Sequence, residues 1–239
     1  IHGNMEAVEA VMEDISKQQC DKIFVLGDYA MAGPEPNYAV DYFMERKDNP
    51  MFKMIQGNTD LMIADYSDEL YAKLKEKAPV MAEALKNDVE ILNPVQKSFL
   101  KNLPIQLEIT EGGVKFLLVH GSPRRNNEDI LPNTPMAEVE KMLADVKADV
   151  VLCGHTHLPC GFQTSKKQTV VNAGSIGRPF TPEPKSCYLT IIANNGECLF
   201  EHHFVEYDKE RASNKLKKRT FRGADKLAGM LLDPKVRHF

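Results

Sequence analysis

The sequence predicts an α/β fold in which helices cover a parallel sheet, and three observations carry that prediction. Short apolar runs near residues 22–26, 52–56, 114–119 and 150–153 alternate with stretches whose apolar residues recur at helical spacing. Several strand-like runs stop at Gly or at a residue able to hold a metal: Ile1-His2-Gly3-Asn4, Leu26-Gly27-Asp28, Gly57-Asn58-Thr59-Asp60, Val119-His120-Gly121 and Cys153-Gly154-His155-Thr156-His157. Glycine at such positions lets the backbone turn tightly and keeps bulk away from a ligand. Finally, 239 residues suit one α/β domain with a substantial core. The expected organisation is a single domain over 1–239, with a helical insertion at 61–103 and a C-terminal extension at 207–239.

Each element has a local reason. Asn4 can cap a helix over 5–19, in which Val8, Val11, Met12 and Ile15 fall on one face. A strand over 22–26 ends at Gly27-Asp28, the turn Gly33-Pro34-Glu35-Pro36 leads into a helix over 38–46, and a strand over 52–56 ends at Gly57-Asn58. Residues 61–103 are rich in Lys, Glu, Ala, Leu and Met and predict two or three helices at a strand's C-terminal edge, placed to act either as a lid or as a solvated bracket. Strands over 105–110 and 114–119 flank Glu111-Gly112-Gly113, a hairpin signal. Thr134 and Pro135 fit the cap and first turn of a helix running to about residue 146. Strands at 161–164 and 169–172 precede a Gly-rich turn over 172–179, and strands at 187–193 and 197–206 around Asn194-Asn195-Gly196 predict a closing antiparallel hairpin. The tail over 209–226 carries eight basic residues against Glu210 and Asp225, and reads as a solvated helical face or as a groove for a phosphate polymer.

Composition bounds the partners. No apolar run approaches the ~20 residues of a membrane span, and a formal net charge of -4 argues against general electrostatic binding to nucleic acid or to an anionic membrane. Five cysteines without paired spacing point to a reducing cytoplasm rather than a disulfide framework. Cys153 reads as a small buried apolar residue and Cys160 as a bystander. His202 and His203 fall on opposite faces of one strand and read as structural, as does His238 near the chain end.

The chemistry concentrates in the His-x-His of His155 and His157, two imidazoles leaving the end of a buried strand. Neutral imidazole is a common ligand for borderline-soft metals, although a lone His-x-His is also found as surface or core histidines. The ordered set His2-Gly3-Asn4, Gly27-Asp28, Gly57-Asn58-x-Asp60, His120-Gly121 and Gly154-His155-Thr156-His157 resembles the calcineurin-like metallophosphoesterase superfamily, in particular its small bacterial and archaeal phosphodiesterase branch. The resemblance covers residues 1–206. It implies a four-layer α/β/β/α sandwich of two mixed sheets with a small helical cap, and a binuclear metal site on loops at the strand ends. Carried over by position, Asp28 would bridge two divalent ions, His2 and His157 would bind the first, and Asn58, His120 and His155 the second. A hydroxide bridging the pair would attack phosphorus, and manganese is the first candidate metal, with iron, zinc, cobalt and nickel as alternatives.

Two departures from the family pattern matter. The family's first motif is Asp-x-His, and the Asp position falls immediately before Ile1; the expectation is that this carboxylate belongs to a preceding segment together with the first strand. Thr59 stands where many relatives have a His that serves as general acid, and threonine cannot protonate a leaving group near neutral pH, which agrees with the phosphodiesterase branch. Arg124 and Arg178, on Gly/Pro-punctuated loops, are candidates for binding a substrate phosphate or are surface residues. Asn4 either donates to a substrate oxygen or only caps its helix, and Asp60 is assigned a structural role. The expected activity is hydrolysis of a small phosphorylated metabolite or nucleotide. A dinucleoside polyphosphate such as diadenosine tetraphosphate is a second candidate substrate, and a non-catalytic scaffold of the retromer-subunit kind is the competing class; retention of six ligand positions argues against the latter.

Overall fold

The computed structural model describes residues 1–234; His238 lies outside the described residues. Strand β1 (Ile23–Val25) pairs in parallel with β2 (Phe52–Met54). Five strands form a mixed sheet in the order β3 (Gln106–Glu111), β4 (Val114–Val119), β5 (Val150–Cys153), β7 (Thr169–Asn172), β6 (Cys160–Gln163), in which β4, β5 and β7 run parallel. Strands β8 (Ser186–Asn194) and β9 (Glu197–Val205) form the closing hairpin that the sequence predicts.

Three apolar clusters show how these pieces stack. One lies between the sheets: Phe116, Leu118, Val150, Leu152 and Val171 of the five-stranded sheet meet Phe24 and Leu26 near β1 and Leu189, Ile191 and Phe200 of the hairpin. The opposite face of the five-stranded sheet, through Leu117, Val119, Val151 and Val170, is covered by Val139 and Met142 of α7 (Met136–Met142). The largest cluster joins β1 and β2 to α1 (Met5–Lys17), α2 (Pro36–Met44), the insertion and the C-terminal helices. The order is therefore helix, sheet, sheet, helix, the layering expected. β4 and β5 are buried on both faces, which is why they read as continuous apolar runs rather than alternating ones. Each fully buried leucine such as Leu118 contributes about 2 kcal/mol of transfer free energy.

Boundaries and two assignments differ from the sequence reading. The insertion holds four helices, α3 (Asn58–Ala64), α4 (Asp68–Lys77), α5 (Pro79–Ile91) and α6 (Pro94–Asn102), and the first begins inside the Gly57-Asn58-Thr59-Asp60 motif. The expected Thr134 cap is absent: the Thr134 hydroxyl accepts from Leu131 N at 2.9 Å, and α7 starts after Pro135 without a side-chain cap. The basic tail is helical and turns most of its basic residues to solvent, as one of the two readings expects, while its other face joins the core. Helices α8 (Lys209–Lys217) and α9 (Ala224–Leu232) bury Ala212, Leu216, Leu227, Ala228 and Leu231 in the largest cluster, and Arg211, Lys215 and Arg219 pair with Glu6, Glu35 and Asp88.

Between β1 and β8 runs a cleft of about 640 Å³, lined by Ile23, Phe24, Leu26, Tyr188, Leu189 and Ile191 and reaching Asp28, His120 and His157. Among the described residues each of these two strands has a single hydrogen-bonded neighbour.

Asp60 ties the first strands to the insertion. Its fully buried carboxylate accepts from Gly57 N at 2.8 Å, Asp28 N at 2.8 Å and Tyr29 N at 2.9 Å, so it caps α3 and fixes the loop after β1. Burial and the nearby Asp28 charge push it up to about 6, against the pull of those amides. Asp60→Ala leaves three buried donors unsatisfied and should lower the unfolding free energy by about 3 kcal/mol, read from the urea midpoint at unchanged m.

Candidate metal centre

Parallel register brings the loops together. Phe116 to Leu118 of β4 lie opposite Val150 to Leu152 of β5, so the residues just beyond the strands are neighbours, and Gly154 N donates to His120 O at 2.8 Å. β1 and β2 do the same for Asp28 and Asn58. The approach is close enough to demand glycine: a Cβ on Gly57 would lie 2.2 Å from Asp28 Oδ1.

Asp28 sits at the centre, 4% exposed. Its Oδ1 accepts from Thr59 N at 3.0 Å and from Thr59 Oγ1 at 2.7 Å. That leaves Oδ2, which lies 3.4 Å from His2 Nε2 and 3.2 Å from His120 Nε2. Burial alone raises a carboxyl, but His120, His2 and the Thr59 hydroxyl together hold Asp28 well below the usual range.

The three innermost imidazoles are oriented alike. Nδ1 donates to Met31 O at 2.9 Å in His2, to Leu26 O at 2.5 Å in His120 and to Arg178 O at 2.7 Å in His157. A carbonyl can only accept, so Nδ1 carries a proton in each ring and Nε2 is turned to the centre, the orientation in which backbone carbonyls hold metal-ligating histidines. His2 Nε2 and His157 Nε2 are 3.1 Å apart. Burial pulls His2 down to about 3 and His157 well below its ordinary value, so no proton bridges them near neutrality. Two lone pairs at that distance beside an ionised carboxylate repel unless a cation lies among them. His2, Asp28 and His157 offer donor atoms within 4.8 Å of one another, and this donor set fits a divalent ion.

A second group adjoins the first. Asn58 Oδ1 lies 3.0 Å from His120 Nε2, so two oxygen acceptors, Asn58 Oδ1 and Asp28 Oδ2, meet the same nitrogen. Burial lowers His120, but Asp28 outweighs it and raises the ring, so a proton and a cation compete for this point. His155 stands at the edge, its ring 5.2 Å from that of His120 and its Nε2 3.3 Å from Asp129 Oδ1.

Backbone strain marks the same residues. His2, Asp28, His155 and His157 all have positive φ, between 52° and 62°. Such a conformation costs a side-chain-bearing residue roughly 1–2 kcal/mol, and clustering of it on ligand-type residues is characteristic of functional sites.

The other candidates divide. Arg178 is half-buried at the edge of the centre: its guanidinium lies 5.6 Å from the Phe180 ring and Nη1 is 3.4 Å from Met81 Sδ in the insertion. Burial lowers it to about 10, so it stays charged. Arg124 is instead exposed and held by Glu128 at 2.7 Å and Glu138 at 3.1 Å, which removes it from the centre. Asn4 takes the capping role rather than the substrate role: it is fully buried, accepts from Ala7 N at 3.3 Å and donates to Gly177 O at 3.0 Å. Thr59, expected at the general-acid position, has its hydroxyl committed to Asp28 and orients that carboxylate. The sequence reading missed Asp129 and Phe180, which stacks on His157 at 4.9 Å; neither stands in a recognisable motif.

Comparison with known proteins places the chain. Residues 1–195 match the family model described as the calcineurin-like phosphoesterase superfamily domain, and the chain belongs to that superfamily. The family assignment implies a metal-dependent phosphoesterase. An uncharacterised protein of Methanocaldococcus jannaschii is 28% identical, covering 91% of this chain and 89% of the relative. A hypothetical protein from Pyrococcus horikoshii superposes with a TM-score of 0.85 at 25% identity, covering 99% of this chain and 96% of the other. A metallophosphoesterase from Sphaerobacter thermophilus superposes with a TM-score of 0.77 at 21% identity, covering 97% and 95%, a likeness of fold.

Thr59→Val keeps the side chain's shape and removes the hydroxyl that fixes Asp28 Oδ1. It should weaken Mn²⁺ binding, followed by titration calorimetry, by about 10- to 100-fold, with the far-ultraviolet spectrum unchanged.

Proposed function

We propose that this chain is a hydrolase that cleaves a phosphoester or phosphodiester of a small metabolite or nucleotide, with two divalent ions, manganese first, held around Asp28. The observation that carries the reading is the convergence of His2 Nε2, His157 Nε2 and Asp28 Oδ2 on one buried point that needs a cation. His2 and His157 with Asp28 would hold the first ion, and Asn58, His120 and His155 with Asp28 the second. Such a pair supplies Lewis acidity to a water and offsets charge developing on phosphoryl oxygens.

The protein's own residues do the rest. The carbonyls of Met31, Leu26 and Arg178 hold three imidazoles in one orientation, Thr59 aims Asp28, and the half-buried Arg178 guanidinium binds two phosphate oxygens of the substrate bidentately. The leaving oxygen takes its proton from solvent, since Thr59 is engaged; this favours good leaving groups such as aryl and phosphoryl oxygens over alkoxides. Dinucleoside polyphosphates fall within that class.

A scaffold role has no use for four strained ligand-type residues, and the tail's ion pairs with the body weigh against a nucleic-acid groove. Among the described residues no helix is long and apolar enough to cross a membrane, and the five cysteines are unpaired, which supports a reducing compartment such as the cytoplasm.

The test is turnover of bis-p-nitrophenyl phosphate and of diadenosine tetraphosphate in Mn²⁺. Both the addition of a chelator and Asp28→Ala should reduce it by about 10³-fold, several kcal/mol of transition-state stabilisation. Metal-independent turnover, or full activity in the variant, would contradict the reading. Arg178→Ala should raise KM about 10- to 100-fold with a smaller change in kcat, the loss of a charge-assisted phosphate contact.

A further inference from the structure

His2 differs from its partner ligands in what holds it. Its orienting carbonyl belongs to Met31, in a turn where Met31 and Ala32 both have positive φ, 72° and 66°. Two consecutive side-chain-bearing residues in that conformation do not hold it unaided. The turn is gripped from outside by a buried ion pair. Asp88, on α5 of the insertion and fully buried, accepts from Met31 N at 2.6 Å through Oδ2. Arg219, just beyond α8 in the C-terminal extension, donates to Asp88 Oδ1 at 2.5 Å, to Asn87 Oδ1 at 2.7 Å and to Gly33 O at 2.7 Å. The two polar groups of Met31 thus join Asp88 on one side to the His2 ring on the other. There is no slack: a Cβ on Gly33 would lie 1.5 Å from His2 O.

We propose that the Asp88–Arg219 pair is a positioning device for His2, by which the helical insertion and the C-terminal extension together set the first metal position. A buried ion pair is a poor way to gain stability, since well-packed apolar replacements often serve as well or better. Its value here lies in what its free valences hold: carboxylate on one amide, guanidinium on one carbonyl, of a turn that would otherwise relax. Neither residue touches metal or substrate.

The inference rests on the metal reading for one of its two measurements only. The first is Mn²⁺ titration of the double variant Asp88→Leu/Arg219→Met, which replaces both partners by apolar groups of similar size. Affinity should fall about 10- to 100-fold, while the unfolding midpoint stays within a few degrees of the wild type. Ser213→Ala, which removes a buried bond from Ser213 Oγ to Ala228 O at 3.0 Å within the extension, should lower the midpoint and leave Mn²⁺ affinity alone. The second measurement needs no metal. In the metal-free protein the His2 Nδ1 proton, shielded by Met31 O, should give a slowly exchanging imidazole resonance, assigned by its absence in His2→Gln. The double variant should lose it while keeping those of His120 and His157. Should the double variant not fold, Asp88→Asn carries the same two readouts. Wild-type affinity together with an unmoved His2 resonance overturns the proposal. A wild type that binds no Mn²⁺ overturns the metal reading, and the resonance alone then decides this inference.

Discussion

Everything at the centre depends on how one carboxylate is divided. Asp28 gives Oδ1 to the Thr59 amide and hydroxyl and keeps Oδ2 for the space shared by His2 and His120. An ionised group buried to this degree survives only if it is paired or hydrogen-bonded on every side. Here the protein satisfies one oxygen and leaves the other between His2 Nε2, whose proton is turned away, and His120 Nε2, where a proton and a cation compete. That arrangement is unfavourable in isolation, and it is stabilised by the addition of positive charge.

The sandwich explains how such an arrangement is tolerated. Two buried β-layers bring four loop ends to one place with little freedom, and the apolar core between them resists the relaxation that would separate like lone pairs. Strain sits in the ligand residues themselves, in the left-handed backbone of His2, Asp28, His155 and His157. Around them lie two further carboxylates, Asp60 and Asp88, each fully buried and each accepting amides of the loop that follows β1. One comes from the ligand motif and one from the insertion, so the insertion helps to build the centre as well as cover it.

Much of this was legible in the residues. The buried strands announced themselves as unbroken apolar runs, the hairpins by Gly112-Gly113 and Asn195-Gly196, and the ligand loops by His, Asp and Asn at strand ends. What escaped reading was long-range. Asp88 sits in a Lys/Glu-rich insertion where one acidic residue looks like any other, and only the contact of α5 with the Met31 turn distinguishes it. Arg219 was counted among basic residues of a tail, whereas the burial of Leu216 and Leu227 draws that tail into the main core. The division of roles among Asn4, Thr59, Arg124 and Arg178 also escaped the sequence, because each is a polar residue on a glycine-punctuated loop and only partner geometry separates a cap, a clamp, a surface ion pair and a half-buried cation.

The most direct test of the central claim is an anomalous difference map from crystals of the protein grown with Mn²⁺. The account predicts one peak among His2, His157 and Asp28 and a second among Asp28, Asn58, His120 and His155. A map without a peak there, with His2 and His157 still in nitrogen-to-nitrogen contact, would contradict it.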